Sequence, residues 1–463
     1  MSTMVITMTS KSNQPEKVGQ PAALFPALSE PSKEMRAVSI LLACMALVPE
    51  LAKSLLKGHG APLGKTSKFK AWTEVGSIGT KDGNRPDGKI EIQQGKKTWV
   101  ALLEAKIGKI DLNEDQIESY LKTAKSINAD ALITISNEFA TLPNHHPSYQ
   151  KTIPKNIQLL HWSWSSIRTK CRLLHDNKEI DDDAHHCIIE HLIEFLNHSK
   201  TGVIGMDLMP SSWKDLNEMI ASGAVLKVDN KQVIEVAAAW IQKARDLGLQ
   251  LTDLVNKTVS MKLTRDQKDK PEKLLNSVCD GLSNQKALEI EYLIPDAVSP
   301  MKVRVDLGEK KITTSMSVFA PKDRKSAKSC VSWLVNQLKD KTKIEGVHVM
   351  AYFPRRDPLQ HPLDDVLEYR QLLTMDDSKM CPNRFEVKLI DNLERKKMGP
   401  KVFIQELEKH VEAFYKHVGQ HLRPWVPSAP KVAPKEDQSH ENSNQSESPK
   451  PTLHENPIDS TQQ

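Results

Sequence analysis

The feature that most restricts this chain is the run Trp99-Val100-Ala101-Leu102-Leu103, which leads without a polar break into Glu104-Ala105-Lys106. A short apolar run of this kind belongs in the middle of a sheet. Side chains two apart on a strand share a face, with Cα atoms about 6.6–6.8 Å apart. Glu104 and Lys106 therefore point one way, and Leu103, Ala105 and Ile107 the other. Two charged residues at the end of such a strand need partners, because burying unpaired charge is expensive. A second strand-like run, Lys89–Gln94, precedes Thr98–Ile107 across Gly95-Lys96, a hairpin turn. The turn carries the start of the first strand back beside the end of the second. That sets Asp87, in Arg85-Pro86-Asp87-Gly88, next to Glu104.

Two carboxylates held a few ångströms apart repel, and a divalent cation resolves the repulsion. Oxygen-only ligands select Mg²⁺ or Mn²⁺ over zinc. Lys106 is a compact cation suited to orient or deprotonate a water and to offset charge developing on a phosphate. Asp87 followed by Glu104-Ala105-Lys106, with Pro86 ahead of Asp87, resembles the motif of the PD-(D/E)xK, or restriction-endonuclease-like, nuclease superfamily. Glu74 sits where many members carry a further acid, and Gln116-Ile117-Glu118-Ser119-Tyr120 is similar to the QxxxY element of the exonuclease branch. Residues four apart lie on one helix face, which would turn Gln116 and Tyr120 together toward the site or the substrate backbone.

The resemblance implies an αβββαβ core over roughly residues 34–200 and metal-dependent hydrolysis of a phosphodiester. The products would carry 5′-phosphate and 3′-hydroxyl ends. It assigns metal to Asp87, Glu104, the backbone carbonyl of Ala105 and Glu74, catalysis to Lys106 with those acids, and a supporting or substrate-binding place to Gln116 and Tyr120. Mg²⁺ or Mn²⁺ is the implied cofactor and nucleic acid, DNA first, the implied partner. The plain alternative is an ion-pair network of Asp87, Glu104 and Lys106 that caps a strand.

Around this core the chain divides by pattern. Residues 1–33, rich in Ser, Thr, Pro and Gln, are expected to be a disordered leader. A helical stretch over about 34–57, bent or capped at Pro49, leads to the hairpin. A helix at Leu112–Ile127, buried strands at Ala131–Ile135 and Ile157–Trp162, and helices at Ser166–Leu174 and Asp183–Asn197 complete an α/β domain. A mainly helical connector is expected over 201–284, with the charged stretch Arg265–Lys273 as a linker or loop. Over 285–425, strands at Met301–Leu307, Ile312–Phe319, Gly346–Phe353 and Phe385–Ile390, with helices at Ala327–Leu338 and Val402–Val418, describe a second, α+β domain. The tail over 426–463 has almost no apolar content and is expected to be disordered.

Other features yield less. The six cysteines include no CxxC pair, which argues against a zinc ribbon or disulfide scaffold and fits reduced thiols in a cytoplasm. No apolar run reaches the length of a membrane span, and no membrane partner is expected. His145-His146 and His185-His186 are poor metal pairs, since adjacent side chains point apart. The acids Asp181-Asp182-Asp183 suit a helix start. Trp162 and Trp164 at a strand end read as core before stacking platforms. Basic clusters at Lys322-Asp323-Arg324-Lys325 with Lys328, at Arg355-Arg356 and at Arg395-Lys396-Lys397 suit solvated loops or phosphate contacts. No Walker-type run is present, so the chain is not itself a motor.

The expected function is thus metal-dependent cleavage of nucleic acid, in defence against foreign DNA or in repair. The alternative is a nuclease-like fold that binds nucleic acid, or through its C-terminal domain another protein, without cutting. The whole chain carries a net charge of +5. The tail's acids, Glu436, Asp437, Glu441, Glu447, Glu455 and Asp459, outnumber Lys431, Lys435 and Lys450, so the body is more positive than the whole. That lean suits a polyanion. Deleting residues 427–463 should leave the melting temperature nearly unchanged, because so few apolar residues cannot offset the entropy of ordering. A large drop in thermal stability on truncation would show a docked tail.

Overall fold

Alternation of side chains along the strands decides which helices cover which face. The computed structural model describes residues 20–25, 33–73, 85–108, 112–149, 151–376 and 380–427. The tail from residue 428 lies outside this range, and so does Glu74.

The first sheet runs in the order β1 (Gln20–Pro21), β2 (Lys68–Thr73), β3 (Gly88–Gln94), β4 (Lys97–Ala105), β5 (Ala131–Ser136) and β6 (Gln158–Ser163). Neighbours from β1 to β4 are antiparallel. The pairs β4–β5 and β5–β6 are parallel. The expected loose leader is corrected at 20–25. Gln20 and Pro21 pair with β2, and the Ala23 amide donates to Ser39 Oγ at 2.9 Å. An edge strand offers unpaired backbone groups, and this short segment covers them.

Helices α1 (Lys33–Leu47) and α2 (Pro49–Leu56) form the expected helical stretch, broken where Pro49 starts a new helix with its missing N–H. They pack on one face of the sheet together with α4 (Trp164–Asp176) and α5 (Asp183–Asn197), against Trp99, Ala101, Leu103 and Ala105 of β4. The opposite face carries α3 (Glu114–Ser126) against Leu102, Leu132 and Leu159. Gly88 is needed where α1 crosses β3, because a Cβ there would meet Leu42 Cδ1 at 2.8 Å. Gly95, with φ 58°, takes the left-handed conformation in the two-residue loop that sets Gln94 opposite Lys97 and Gly88 opposite Leu103. Asp182 caps α5 by accepting from the His185 amide at 2.9 Å, as the helix-start reading of the acids expects. Trp162 and Trp164 are core residues, 4% and 0% exposed.

The second sheet is antiparallel throughout. Its order is β12 (Leu359–Pro362), β11 (Val347–Tyr352), β13 (Arg384–Asn392), β10 (Lys311–Phe319), β9 (Met301–Asp306), β8 (Ala287–Leu293) and β7 (Ser260–Met261). Helices α6 (Ser212–Ala221), α7 (Lys231–Val255), α8 (Arg265–Asp269), α9 (Pro271–Gln285), α10 (Ala327–Leu338), α11 (Leu363–Glu368) and α12 (Pro400–His417) accompany it. One apolar core runs from Met209 to Leu422. The helices expected to be a connector are therefore part of the layers on this sheet. Trp240 Nε1 of α7 donates to the Glu289 carbonyl at 3.2 Å, and the Tyr292 hydroxyl to the Ala244 carbonyl at 2.7 Å. The charged stretch expected as a linker folds instead as α8 and the start of α9. Thr264 and Gln267 form a capping box, and Pro271 opens α9. No single helix among the described residues is long and apolar enough to cross a membrane; the apolar pair α1–α2 is bent by 108°.

Lys243 of α7 is fully buried. Its ammonium donates to Asp246 at 2.7 Å, to the Met206 carbonyl at 3.2 Å and to Glu408 of α12. Removing one partner of a buried ion pair leaves an uncompensated charge. Lys243→Ala should cost about 3–5 kcal/mol, read by thermal melting. A loss below about 1 kcal/mol would place this network among surface pairs.

Candidate active site

Strand alternation and the hairpin register bring Asp87 and Glu104 to the same face, the one covered by α3. Gly88 lies opposite Leu103, and one step further Asp87 comes beside the end of β4. Asp87 Oδ2 accepts from the Ala105 amide at 2.8 Å. Glu104 is 2% exposed, and its Oε1 accepts from the Lys106 ammonium at 2.8 Å. Lys106 is held at both ends of its backbone. Its amide donates to the Ile135 carbonyl at 2.7 Å, and its carbonyl accepts from Trp164 Nε1 at 2.9 Å. These groups sit at the C-terminal ends of the parallel strands β4, β5 and β6, beside the start of α4, the edge of an α/β sheet where ligands commonly bind.

Glu34, in the first turn of α1, completes the cluster and was missed in the sequence. Its Oε2 lies 3.7 Å from Lys106 Nζ, and its Oε1 accepts from the Ile107 amide at 3.3 Å. The only signal in its neighbourhood is an acid in a helix's first turn, which the helix dipole explains without a site. Of the sequence-predicted residues, Asp87, Glu104, Ala105, Lys106 and Tyr120 come together. Gln116 does not join them. It is exposed and closes a capping box, accepting from the Asn113 amide at 3.3 Å while its own amide donates to Asn113 Oδ1 at 2.8 Å. Helix capping consumes the side chain that the QxxxY pattern offered. Glu74 lies outside the described residues.

Burial is the main force on these groups. Burial first and the neighbouring Glu104 charge second raise Asp87 to about 7, against the Ala105 amide and Lys106. Burial also raises Glu104, opposed by Lys106, Tyr120 and the Asp87 backbone. For Lys106, burial disfavours the charge, but Glu104, Asp87 and Glu34 outweigh it and hold the ammonium above its ordinary range. The Tyr120 phenol is raised by burial and then by Glu104 and Asp87. Glu104 Oε2 is buried without a hydrogen bond of ordinary geometry, so Tyr120 acts on its charge but does not saturate it.

The same face continues onto the next strands. Glu104 lies opposite Thr134, and Thr134 opposite His161. Thr134 Oγ1 and His161 Nδ1 are 2.9 Å apart, and His146 meets the His161 ring edge-on at 4.9 Å. Burial lowers His161 to about 4 and, with His161 beside it, His146 to about 3, so both are neutral at pH 7.

Two neighbouring carboxylates that repel one another, with a buried Glu104 oxygen lacking a hydrogen bond, suit a hard cation bound through oxygen. Among the described residues, however, no group of three or more His, Cys, Asp or Glu is arranged to hold a metal ion. The donors in place for one are Asp87 and Glu104, with Glu34 reaching the site through Lys106. Comparison of the chain with known proteins finds no matching family model, no matching curated protein and no matching solved structure.

A carboxyl raised by folding binds more protons in the native than in the unfolded state. Its contribution to stability is fully present below the unfolded value near 3.8 and is lost as pH rises toward about 7. Wild-type melting temperature in chelator should therefore fall over that window, and Asp87→Asn should flatten the fall. An unchanged profile in Asp87→Asn would show that Asp87 is ionised throughout.

Proposed function

We propose that this chain is a Mg²⁺- or Mn²⁺-dependent nuclease of the PD-(D/E)xK kind, acting on nucleic acid and on DNA first. The observation that carries the reading is the meeting of Asp87, Glu104 and Lys106 on one face at one sheet edge, with Asp87 bonded to the Ala105 amide. With the broken pair α1–α2 counted as one helical element, the order α1–α2, β2, β3, β4, α3, β5 fits the αβββαβ order that the resemblance implies. Asp87 and Glu104 would hold the ion, with the Ala105 carbonyl and Glu74 as further ligands. When bound, a divalent ion lowers the pKa of a water and polarises a phosphoryl oxygen. Lys106, fixed through Ile135 and Trp164, presents its ammonium to the scissile phosphate and the attacking water. Tyr120 restrains Glu104 from the α3 side. The free state of all six cysteines fits a cytoplasmic protein.

A second reading is favoured by one observation. Lys106 is held by both Glu104 and Glu34, the arrangement expected of a structural ion-pair network in a nuclease-like fold that binds without cutting. The two readings part on substitution. Purified protein should cut linear or circular DNA, or RNA, with Mg²⁺ or Mn²⁺ and not in chelator. Lys106→Ala and Asp87→Asn should each lower the rate by about 10²–10³ while the protein stays folded. A wild type that neither cuts nor melts higher with metal, together with a Lys106→Ala destabilised by about 3–5 kcal/mol, would leave only the ion-pair network.

A further inference from the structure

Beside the candidate site, α1 and α5 border a groove with two chemically different stretches. The stretch nearer the site encloses about 360 Å³ and is lined by Lys33, Arg36, His198 and Lys200. It adjoins the site through the backbone. Lys33 precedes Glu34, and the Gly202 carbonyl, next to Thr201 of the groove, accepts from the Gly108 amide at 3.1 Å, two residues beyond Lys106. Asn137 clamps the same two loops, its Nδ2 donating to the Gly108 and Gly202 carbonyls at 2.8 and 2.9 Å. Lys33, Arg36 and Lys200 have no ion-pair partner among the described residues. The acid lining this stretch, Glu194, lies 3.2 Å from His191 Nδ1. Cations left uncompensated in a groove favour an anion whose charges are spaced along it.

The second stretch shares Arg36, His191 and Phe195 with the first and encloses about 650 Å³. Its walls are apolar, with Leu24, Phe25, Ile40, Ile188 and Leu192. Phe25 is 93% exposed. Duplex DNA keeps its base faces stacked inside and offers a groove mainly phosphates and base edges. An exposed aromatic on an apolar wall gains contact only with bases whose faces are free.

We infer that this groove takes single-stranded nucleic acid, its phosphates on Lys33, Arg36 and Lys200 and its bases against Phe25 and the apolar wall. The further step, that the strand so held is led to the carboxylates, rests on the nuclease reading.

The test is fluorescence anisotropy with the full chain in chelator, so that nothing is cut, using a labelled short oligothymidylate and a duplex of equal length. Single strand should bind more tightly than duplex. Lys33→Ala/Lys200→Ala should weaken binding and flatten the slope of log K against log salt by about 1.4, two single-strand phosphate contacts. Phe25→Ala should weaken binding by about tenfold with the slope unchanged. The substituted residues are exposed, and unchanged melting temperatures confirm that the variants fold. Duplex bound as tightly as single strand, no binding by the wild type, or variants indistinguishable from it would each overturn the groove. Groove variants that bind normally in a protein that cuts with metal would sink this inference alone. Strand binding lost on groove substitution in a protein that never cuts would sink the nuclease reading alone.

Discussion

Glu104 is buried and Asp87 half-buried at the end of a sheet, near enough for the charge of Glu104 to disfavour ionisation of Asp87. Burial and mutual repulsion together favour a proton on one of them, and Asp87 rises to about 7. Lys106 answers part of that charge from the same face of the same strand. The geometry around the trio follows from keeping it in place. The Ala105 amide fixes Asp87, the Ile135 carbonyl and the Trp164 indole fix the Lys106 backbone, and α1 brings Glu34 to the far side of the ammonium.

Each of these restraints comes from a different layer, which is why the arrangement depends on the whole first sheet. Trp164 belongs to the layer on one face and Tyr120 to the helix on the other. The alternation that buries Leu103 and Ala105 beneath α1 also turns Glu104 toward α3. A slip of the hairpin by one residue would exchange the faces and bury the carboxylates among Leu41, Leu42 and Met45. The apolar side chains of β4 thus fix the register that the charged ones require. A large one such as Leu103, fully buried, supplies about 1.5–3 kcal/mol toward it.

Much of this was legible because it is local. The apolar run, the charges two apart and the Gly95-Lys96 turn all lie between Gly95 and Lys106, and their periodicity translates directly into faces. Glu34 was not legible, since its contact with Lys106 spans more than seventy residues and a helix-start acid has an ordinary explanation. Gln116 looked like a site residue because i and i+4 share a face, yet the stronger demand on it was the bare amide of Asn113 at the helix start. The stretch Arg265–Lys273 was read by its charge, although its capping box and Pro271 were helix signals in plain view. The stretch 201–284 is mainly helical as expected, but its place in the packing was not legible. Its helices carry apolar stripes that show burial but not which sheet they cover, and only the tertiary structure shows the core they share with the second sheet.

Stability alone does not account for the cluster. A buried ion pair is commonly replaced by apolar side chains of similar volume at no loss, or with a gain, of stability. Here the arrangement is worse than a closed pair, since Glu104 Oε2 stays unsaturated and Asp87 is pushed toward protonation. The nearest imidazoles give no relief: burial keeps His161 and His146 neutral at pH 7. The positive charge at hand is Lys106, set against Asp87, Glu104 and Glu34. One ammonium cannot neutralise three carboxylates in a site this dry. Either a proton stays on Asp87 or a further cation enters, and the second option is the one that lets all the acids ionise together. A point at which a fold breaks local electrostatic rules, while satisfying them along the rest of the same strand, is where a functional site is expected.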